Sequence, residues 1–355
     1  MLTPAEELGL SGLSLASRVR KVFHQVPETK LIDMMRQIHE EALKRHLIYL
    51  RDGQPDALRV LPIPVTVLPD QLTYIQYVSQ TIMGALKRLP ELYLEDAAVR
   101  EVLQLSPGEE QWLRDCWGPS LHENNPLFGR LDAMVDFISP MWKDSLRFVE
   151  PNLSGIGGLH LLPNAERILA ELLLPLLKEQ DAELHLAVGP DIRDLLMQEI
   201  LDHAQAIGRR IENLCFVEPK YATSGPDEQH ALAQFFQDRY GMRLLHADPR
   251  ELSIEGEEVF YNGARIDLAY RDYAVWDLLD LQKDGANIEP MRALFRQNRM
   301  MSSIAAELDQ KSCWEVLTDN RFARKHFTAD ERQVFRRHIL WTRILSDRKT
   351  MLPDG

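Results

Sequence analysis

Glu150 and Asn152 stand two residues apart in "FVEPNLSGIGGLHLLPN", residues 148–164, and Ser154, Gly155, Gly157 and Gly158 follow them. A carboxylate and an amide on one face of a strand end are hard oxygen ligands. Magnesium takes few such protein oxygens and completes its shell from phosphate and water. The pair therefore suits a metal-bound phosphate, and the bare backbone behind it suits the close approach of an anionic substrate. A solvated turn accounts for the same residues, because Asn, Ser and Gly are turn formers. Arg130 and Asp132 offer a second pair. The guanidinium is built for bidentate carboxylate recognition, or equally for a salt bridge on a solvent-facing strand. In "IDLAYRDY", Arg271 ends a β-prone run with Tyr270 and Asp272 beside it. Ligands of open α/β sheets bind outside the carboxyl ends of the strands, although charge there also keeps an edge strand from pairing. Lys311, on the helical pattern of "AAELDQKSCWEVLTD", has the reach for a phosphate or a purine edge; a surface lysine is the plainer reading.

The elements that must position these groups follow from periodicity. Up to about Leu121 the chain reads mostly as helix. Leu31, Met35, Ile38 and Ala42 form one stripe, Asp70 is placed to cap a helix, and Ser106 with Glu109 makes a capping-box start. "VLPIPVTVLP" interrupts this as a short strand or extended link. From Phe128 the period becomes two: Leu131, Ala133, Val135 and Phe137 alternate with Arg130, Asp132, Met134 and Asp136. A turn at "SPMWKDS" leads to a second strand, "LRFVEPN". If the two strands pair as a hairpin, Arg130 and Asp132 lie near Glu150 and Asn152. Strands at "ELHLAVG", "ENLCFVEP", "MRLLHAD" and "IDLAYRD" then alternate with helices, the signature of an open, mostly parallel sheet. From about Ala274 to Leu345 the chain is again mostly helical.

Composition removes several classes. The chain has 355 residues and a net charge of −13, which argues against nucleic acid or an anionic membrane as the main partner. Cys116, Cys215 and Cys313 lie far apart without CxxC spacing, and the histidines show no HExxH, so neither a disulfide framework nor a zinc enzyme follows. A single glycine in the Gly189-Pro190 turn fails the GxGxxG pattern and discounts NAD. The N-terminus lacks the order of a signal peptide, and no apolar run spans a bilayer. The expectation is a cytoplasmic protein with reduced thiols.

The order of these signals is more specific than any one of them. R-x-D on a strand, E-x-N with a downstream GG-L, a strand ending in Y-R-D, and a lysine on a helical segment resemble the circularly permuted ATP-grasp ligases, the group of eukaryotic-type glutathione synthetase and glutathionylspermidine-synthase-like bacterial proteins. "GRLDAM", "VEPNLSGIGGL", "IDLAYRDY" and "LDQKSCWEVL" carry the resemblance, and "HILWTRIL" is similar to the bacterial branch. It runs from about Phe128 to the C-terminus.

The resemblance implies an α/β fold in three parts. These are a helical N-terminal region (1–125), a partial ATP-grasp-type sheet region (126–183 and 276–355) and an inserted open, mostly parallel α/β domain for substrate (184–275). It implies Mg2+ on Glu150 and Asn152, ATP on Lys311, and catalytic arginines at Arg130 and Arg271. Substrate contacts would come from Asp132, Ser154, Gly157, Gly158, Tyr270 and Asp272. The implied reaction is ATP-dependent carboxylate–amine ligation through an acyl phosphate, with a small-molecule or peptide carboxylate and an amine as co-substrates, in a possible homodimer. A non-catalytic binding module for a peptide or acidic metabolite is the alternative.

Family chains continue past the W-T-R segment with a lysine-proline strand, a glycine-rich phosphate loop and a further acidic metal ligand. This sequence has no K-P followed by GG. The expectation is an incomplete nucleotide site, weak or absent Mg·ATP binding and little catalysis by these residues alone. It extends to looser packing from about Met300 onward, with an apolar patch at Trp314, Phe327, Ile339 and Trp341. Arg130, Glu150, Asn152 and Arg271 are expected to face one cleft.

Overall fold

The computed structural model describes residues 4–347, 349–350 and 352, with side chains from residue 15 onward. The outermost ends of the expected segments 1–125 and 276–355 lie outside the described residues. Helices α1 (Pro4–Gln25) and α2 (Glu28–Lys44) meet at Pro27. The stripe that α2 buries is Met34, Ile38 and Ala42, whereas Met35, expected inside, is exposed. The chain then leaves the helical pattern for a hairpin, β1 (Ile48–Arg51) and β2 (Gln54–Ala57). Asp52 and Gly53 sit at φ 50° and 75°. A type I′ turn needs two consecutive positive-φ residues, and Asp-Gly supplies them at low steric cost. "VLPIPVTVLP" stays extended without a ladder. Pro62 and Pro64 cannot donate, and Leu61, Ile63, Val65 and Val67 remain exposed.

Helices α3 (Pro69–Leu86), α4 (Leu89–Glu95), α5 (Ala97–Val102), α6 (Pro107–Cys116) and α7 (Pro119–Glu123) follow. Asp70 does not cap α3. Pro69 is already helical, and Gln71 Oε1 accepts the Leu68 N–H at 2.9 Å. The capping box at Ser106 and Glu109 forms as expected.

Strands β3 (Arg130–Met134) and β4 (Arg147–Asn152) pair antiparallel around the short helix α8 (Trp142–Ser145), with an irregularity between Asp132 and Ala133. Helices α9 (Leu161–Gln180) and α10 (Ile192–Ala206) come next, then β5 (Asn213–Val217), β6 (Gly225–Pro226), α11 (Gln229–Tyr240) and β7 (Arg243–Ala247). A meander of β8 (Leu252–Glu255), β9 (Glu258–Tyr261) and β10 (Ala264–Arg265) precedes β11 (Leu268–Arg271). The C-terminal part is α12 (Val275–Lys283), α13 (Glu289–Arg296), β12 (Met300–Met301), α14 (Cys313–Thr318), α15 (Asn320–His326) and α16 (Ala329–His338).

The central sheet has the order β12-β11-β5-β7 and every pairing in it is parallel. "ELHLAVG" adds no strand. Leu184 packs with the α2–α9 cluster, and the segment has no ladder partner. The fold is mixed α/β with an open parallel sheet, as the alternation predicts.

Packing beyond Met300 overturns the expected apolar patch. Trp314, Phe327 and Ile339 are buried at 0%, 5% and 4% exposure, and only Trp341 is exposed, at 40%. The largest apolar core runs without a break from Val78 on α3, through Phe148, Val217 and Ala269, to Trp314 and Phe335. The Trp314 indole N–H donates to the Val149 carbonyl at 2.9 Å, so the helices after Met300 are tied to β4 itself. Among the described residues no helix is long and apolar enough to cross a membrane.

Candidate functional site

The β3–β4 register places Arg130 opposite Asn152 and Asp132 opposite Glu150. Side chains of directly paired residues share a face, so the hairpin gathers four of the candidates. Arg130 Nε donates to Asp132 Oδ1 at 2.6 Å and Nη2 to Oδ2 at 3.3 Å. These bonds hold the Asp132 carboxyl below its ordinary range, against a smaller opposing effect of burial. Lys311 joins from the turn just before α14, not from the helix its spacing suggested, with Nζ 2.7 Å from Glu150 Oε2. Asn152 Nδ2 is buried with no hydrogen-bond partner in the protein. The cluster thus pairs two cations with two carboxylates and leaves one amide uncommitted.

The glycine-rich loop connects this hairpin to the carboxyl ends of the parallel strands. The Leu153 N–H donates to Asp309 Oδ2 at 2.9 Å, Gly155 N–H to the Arg271 carbonyl at 3.3 Å, and Ile156 N–H to the Tyr270 hydroxyl at 3.1 Å. Gly155 holds φ 61° and lies so close to Asp272 that an added Cβ would stand 2.0 Å from its Oδ1. Glu228 accepts from the Gly158 N–H at 2.9 Å and the His160 N–H at 2.8 Å. The backbone donors expected to meet a substrate anion at Gly158 are therefore met by the chain's own carboxylate. Burial raises the Glu228 pKa, opposed by those two N–H bonds. Ser154 is half-buried and Gly157 exposed on the same loop.

Two expected residues face inward. Arg271 is fully buried, and its guanidinium donates to the carbonyls of Ser302, Ser303 and Tyr273 and to Glu307, while its charge stacks 4.9 Å above the Phe295 ring. It does not share a cleft with Arg130, Glu150 and Asn152. A parallel strand with both faces covered turns alternate residues into protein on each side, and Arg271 falls on the side of the C-terminal helices. Tyr270 is 2% exposed and packs its ring 4.8 Å from that of Phe216. Its hydroxyl orders the glycine loop.

Asp272, one residue beyond β11, does open to a cavity of about 370 Å³. The cavity lies outside the carboxyl ends of β5, β7 and β11, where open α/β sheets take ligands. Glu218, at the end of β5, and His246, on β7, line it with Asp272. His246 Nδ1 is 3.6 Å from Glu218 Oε2, too long for a hydrogen bond. Both imidazole nitrogens and that carboxylate oxygen are buried without a hydrogen-bond partner in the protein. Asp272 is an exposed residue at the cavity, with enclosing protein behind its carboxyl. This enclosure first, and the Glu218 charge second, push its carboxyl up to about 7. Lys220 at the rim is already committed, 3.0 Å from both Glu251 oxygens and from the Tyr261 hydroxyl.

Glu218 and His246 were not singled out from the sequence. The strand-end argument applied to Arg271 holds equally for "NLCFVEP" and "RLLHAD", and would have found both. Among the described residues no three His, Cys, Asp or Glu side chains converge as a metal cage. Asp132 and Glu150 nonetheless fit magnesium in kind, with Asn152 beside them: they are hard oxygen donors, now paired to Arg130 and Lys311, and two carboxylates are as many as a magnesium shared with phosphate takes.

No protein-family model and no curated protein matches the sequence. Among solved structures the chain is similar to a glutathione synthetase-like effector from Globodera pallida in the apo form. The TM-score is 0.60 at 12% identity, over 88% of this chain and 71% of that one. The likeness extends to the fold: this chain has a glutathione synthetase-like fold.

Proposed function

We propose that this chain is the substrate-binding portion of an ATP-dependent carboxylate–amine ligase that works through an acyl phosphate. The observation that carries the reading is the cross-strand set Arg130, Asp132, Glu150, Asn152 with Lys311, joined by one glycine loop to a cavity at the sheet's carboxyl edge. The glutathione synthetase-like fold supports it. Glu150, Asn152 and Asp132 would hold magnesium, whose chemistry there is to neutralise phosphate charge. Lys311 and Arg130 each sit in an ion pair that an incoming phosphate or carboxylate can replace with a bond to itself. Glu218 and Asp272 favour the ammonium of an amine co-substrate, and His246 beside Glu218 is placed to accept a proton from it. Catalysis on this plan is mostly positioning and electrostatics.

Calorimetry tests the reading. Titration with Mg·ATP is expected to give weak binding that Glu150→Ala weakens further, and titration with a simple alkylamine to give binding that Glu218→Gln weakens. Amine binding without any nucleotide binding would favour the alternative, a non-catalytic binding module. The self-paired charges of the hairpin, which need no ligand to be satisfied, are the observation on that side.

A further inference from the structure

The cavity has a wall that comes from the far N-terminal end of the chain. Strand β1 pairs antiparallel with β6, Tyr49 opposite Pro226 and Leu50 opposite Gly225. Beyond the pairing, the Gly53 N–H donates to the Thr223 carbonyl at 2.7 Å and the Asp52 N–H to Ser224 Oγ at 3.2 Å. The Asp227 N–H donates to the Ile48 carbonyl at 3.1 Å, and His46 Nε2 lies 3.0 Å from Asp227 Oδ2. Ala222, Ser224, Gly225, Pro226 and Asp227 on that loop line the cavity, as does Leu50 itself. The hairpin therefore fixes the shape of a loop that would otherwise have few backbone partners.

Alternation along β1 decides which side chain faces the ligand. Tyr49 and Arg51 share the outer face, where Arg51 lies 5.2 Å over the Tyr49 ring and binds Asp56 at 2.9 Å. Ile48 and Leu50 take the inner face; Ile48 is buried and Leu50 half-buried at the cavity. The cavity is thus polar at the sheet end, with Glu218, His246 and Asp272, and at the hairpin end Leu50, Ala222 and Pro226 give it an apolar strip beside Ser224 and Asp227.

We propose that the β1–β2 hairpin is the specificity-determining wall of this cavity, and that Leu50 sets the length of the aliphatic amine it accepts. This rests on reading the cavity as a ligand site. The ligand class that matches both ends is a primary amine with a short aliphatic body, its ammonium toward Glu218 and Asp272 and its methylenes toward Leu50. Each methylene buried is worth about fourfold in affinity until the wall is reached.

The test is calorimetric titration of the full chain with n-propylamine, n-butylamine, n-hexylamine and n-octylamine, for the wild type, Leu50→Ala and Leu50→Trp. Leu50 is half-buried on a surface hairpin, so both variants should fold, as checked by circular dichroism. The wild type is expected to gain affinity with chain length and then plateau or fall. Leu50→Ala should move that limit to longer amines and shift the octyl-to-propyl affinity ratio upward by about tenfold or more. Leu50→Trp should move it the other way. Amine binding with the same length limit in all three proteins would overturn the role of the hairpin while leaving the cavity reading intact. No binding of any amine by the wild type would overturn both.

Discussion

Lys311 Nζ lies 2.7 Å from Glu150 Oε2, a bond between the turn before α14 and the end of β4. The two groups read from sequence as a nucleotide contact and a metal ligand bind each other. Lys311 is 60% exposed and Glu150 33%, and an exposed pair of this kind contributes roughly 0–1 kcal/mol. Lys311→Met should therefore leave stability within about 1 kcal/mol of wild type. It should weaken ATP binding, because the phosphate loses a cation, yet strengthen Mn2+ or Mg2+ binding in the absence of nucleotide, because Glu150 loses its internal counter-ion. Urea unfolding and metal titration measure the two effects separately. A large stability loss, or metal affinity that falls, would show that the pair is structural.

Arg271 should behave in the opposite way. Removing its guanidinium leaves Glu307 buried without its cation and the Ser302 and Tyr273 carbonyls without this donor, while the Ser303 carbonyl keeps the Ala306 N–H. Breaking a buried pair from one side costs about 3–5 kcal/mol. Arg271→Met is expected to lose stability of that order by urea denaturation. A stable Arg271→Met protein that had lost only ligand binding would restore the catalytic role implied by its position in "IDLAYRDY".

What the sequence made legible, and what it did not, divides along physical lines. Period-two alternation and the Glu150-x-Asn152 spacing gave the β3–β4 hairpin and the face its charged residues share. That the central sheet is parallel was legible because its strands alternate with helices; its order was not, since "ELHLAVG" forms no strand and the two-residue β12 is too short to show a period. Orientation at Arg271 was not, since a strand covered on both faces buries either parity, and the residue's type says nothing about which side holds Glu307. The β1–β2 hairpin was missed although Asp52-Gly53 is a strong turn signal, because the strong helical period of α2 was carried past its end. Burial of Trp314, Phe327 and Ile339 depends on contacts with β4 and α3, far away in the chain, which no local pattern encodes.

Gly155 makes a third prediction. At φ 61° an alanine is strained, and its Cβ would collide with Asp272 Oδ1. The carboxylate can swing aside, so the steric part is relieved at the expense of the cavity. Gly155→Ala should lose about 1 kcal/mol or more of stability and, in addition, weaken amine binding as Asp272 is displaced. Gly256→Ala, at φ 62° in the β8–β9 turn with nothing within 4 Å of an added Cβ, carries the same backbone strain away from the cavity; it is the control and should leave amine binding within about twofold of wild type. Equal effects of the two substitutions would remove Asp272 from the ligand site.

The last prediction concerns pH. Burial raises the Asp309 carboxyl to about 6, against the opposing bond from the Leu153 N–H. Because the folded-state value lies above the ordinary 3.8, the folded protein holds the proton more tightly than the unfolded chain. The contribution of Asp309 is fully present below about pH 4 and is lost as pH rises through about 6. Buried His160, His203 and His338, all with lowered pKa, act in the other direction, since they lose stability as pH falls below their ordinary value. The raw pH profile of stability therefore mixes both, and the difference between wild type and Asp309→Asn isolates the carboxyl. Asparagine keeps an oxygen for the Leu153 N–H and carries no charge. Asp309→Asn is expected to match wild type near pH 4 and to become more stable than it by about 1–3 kcal/mol at pH 8, read by urea unfolding at both pH values. A variant less stable than wild type at pH 8 would mean that the ionised Asp309 is needed to hold the glycine loop, and that its charge, not its proton, is the stabilising form.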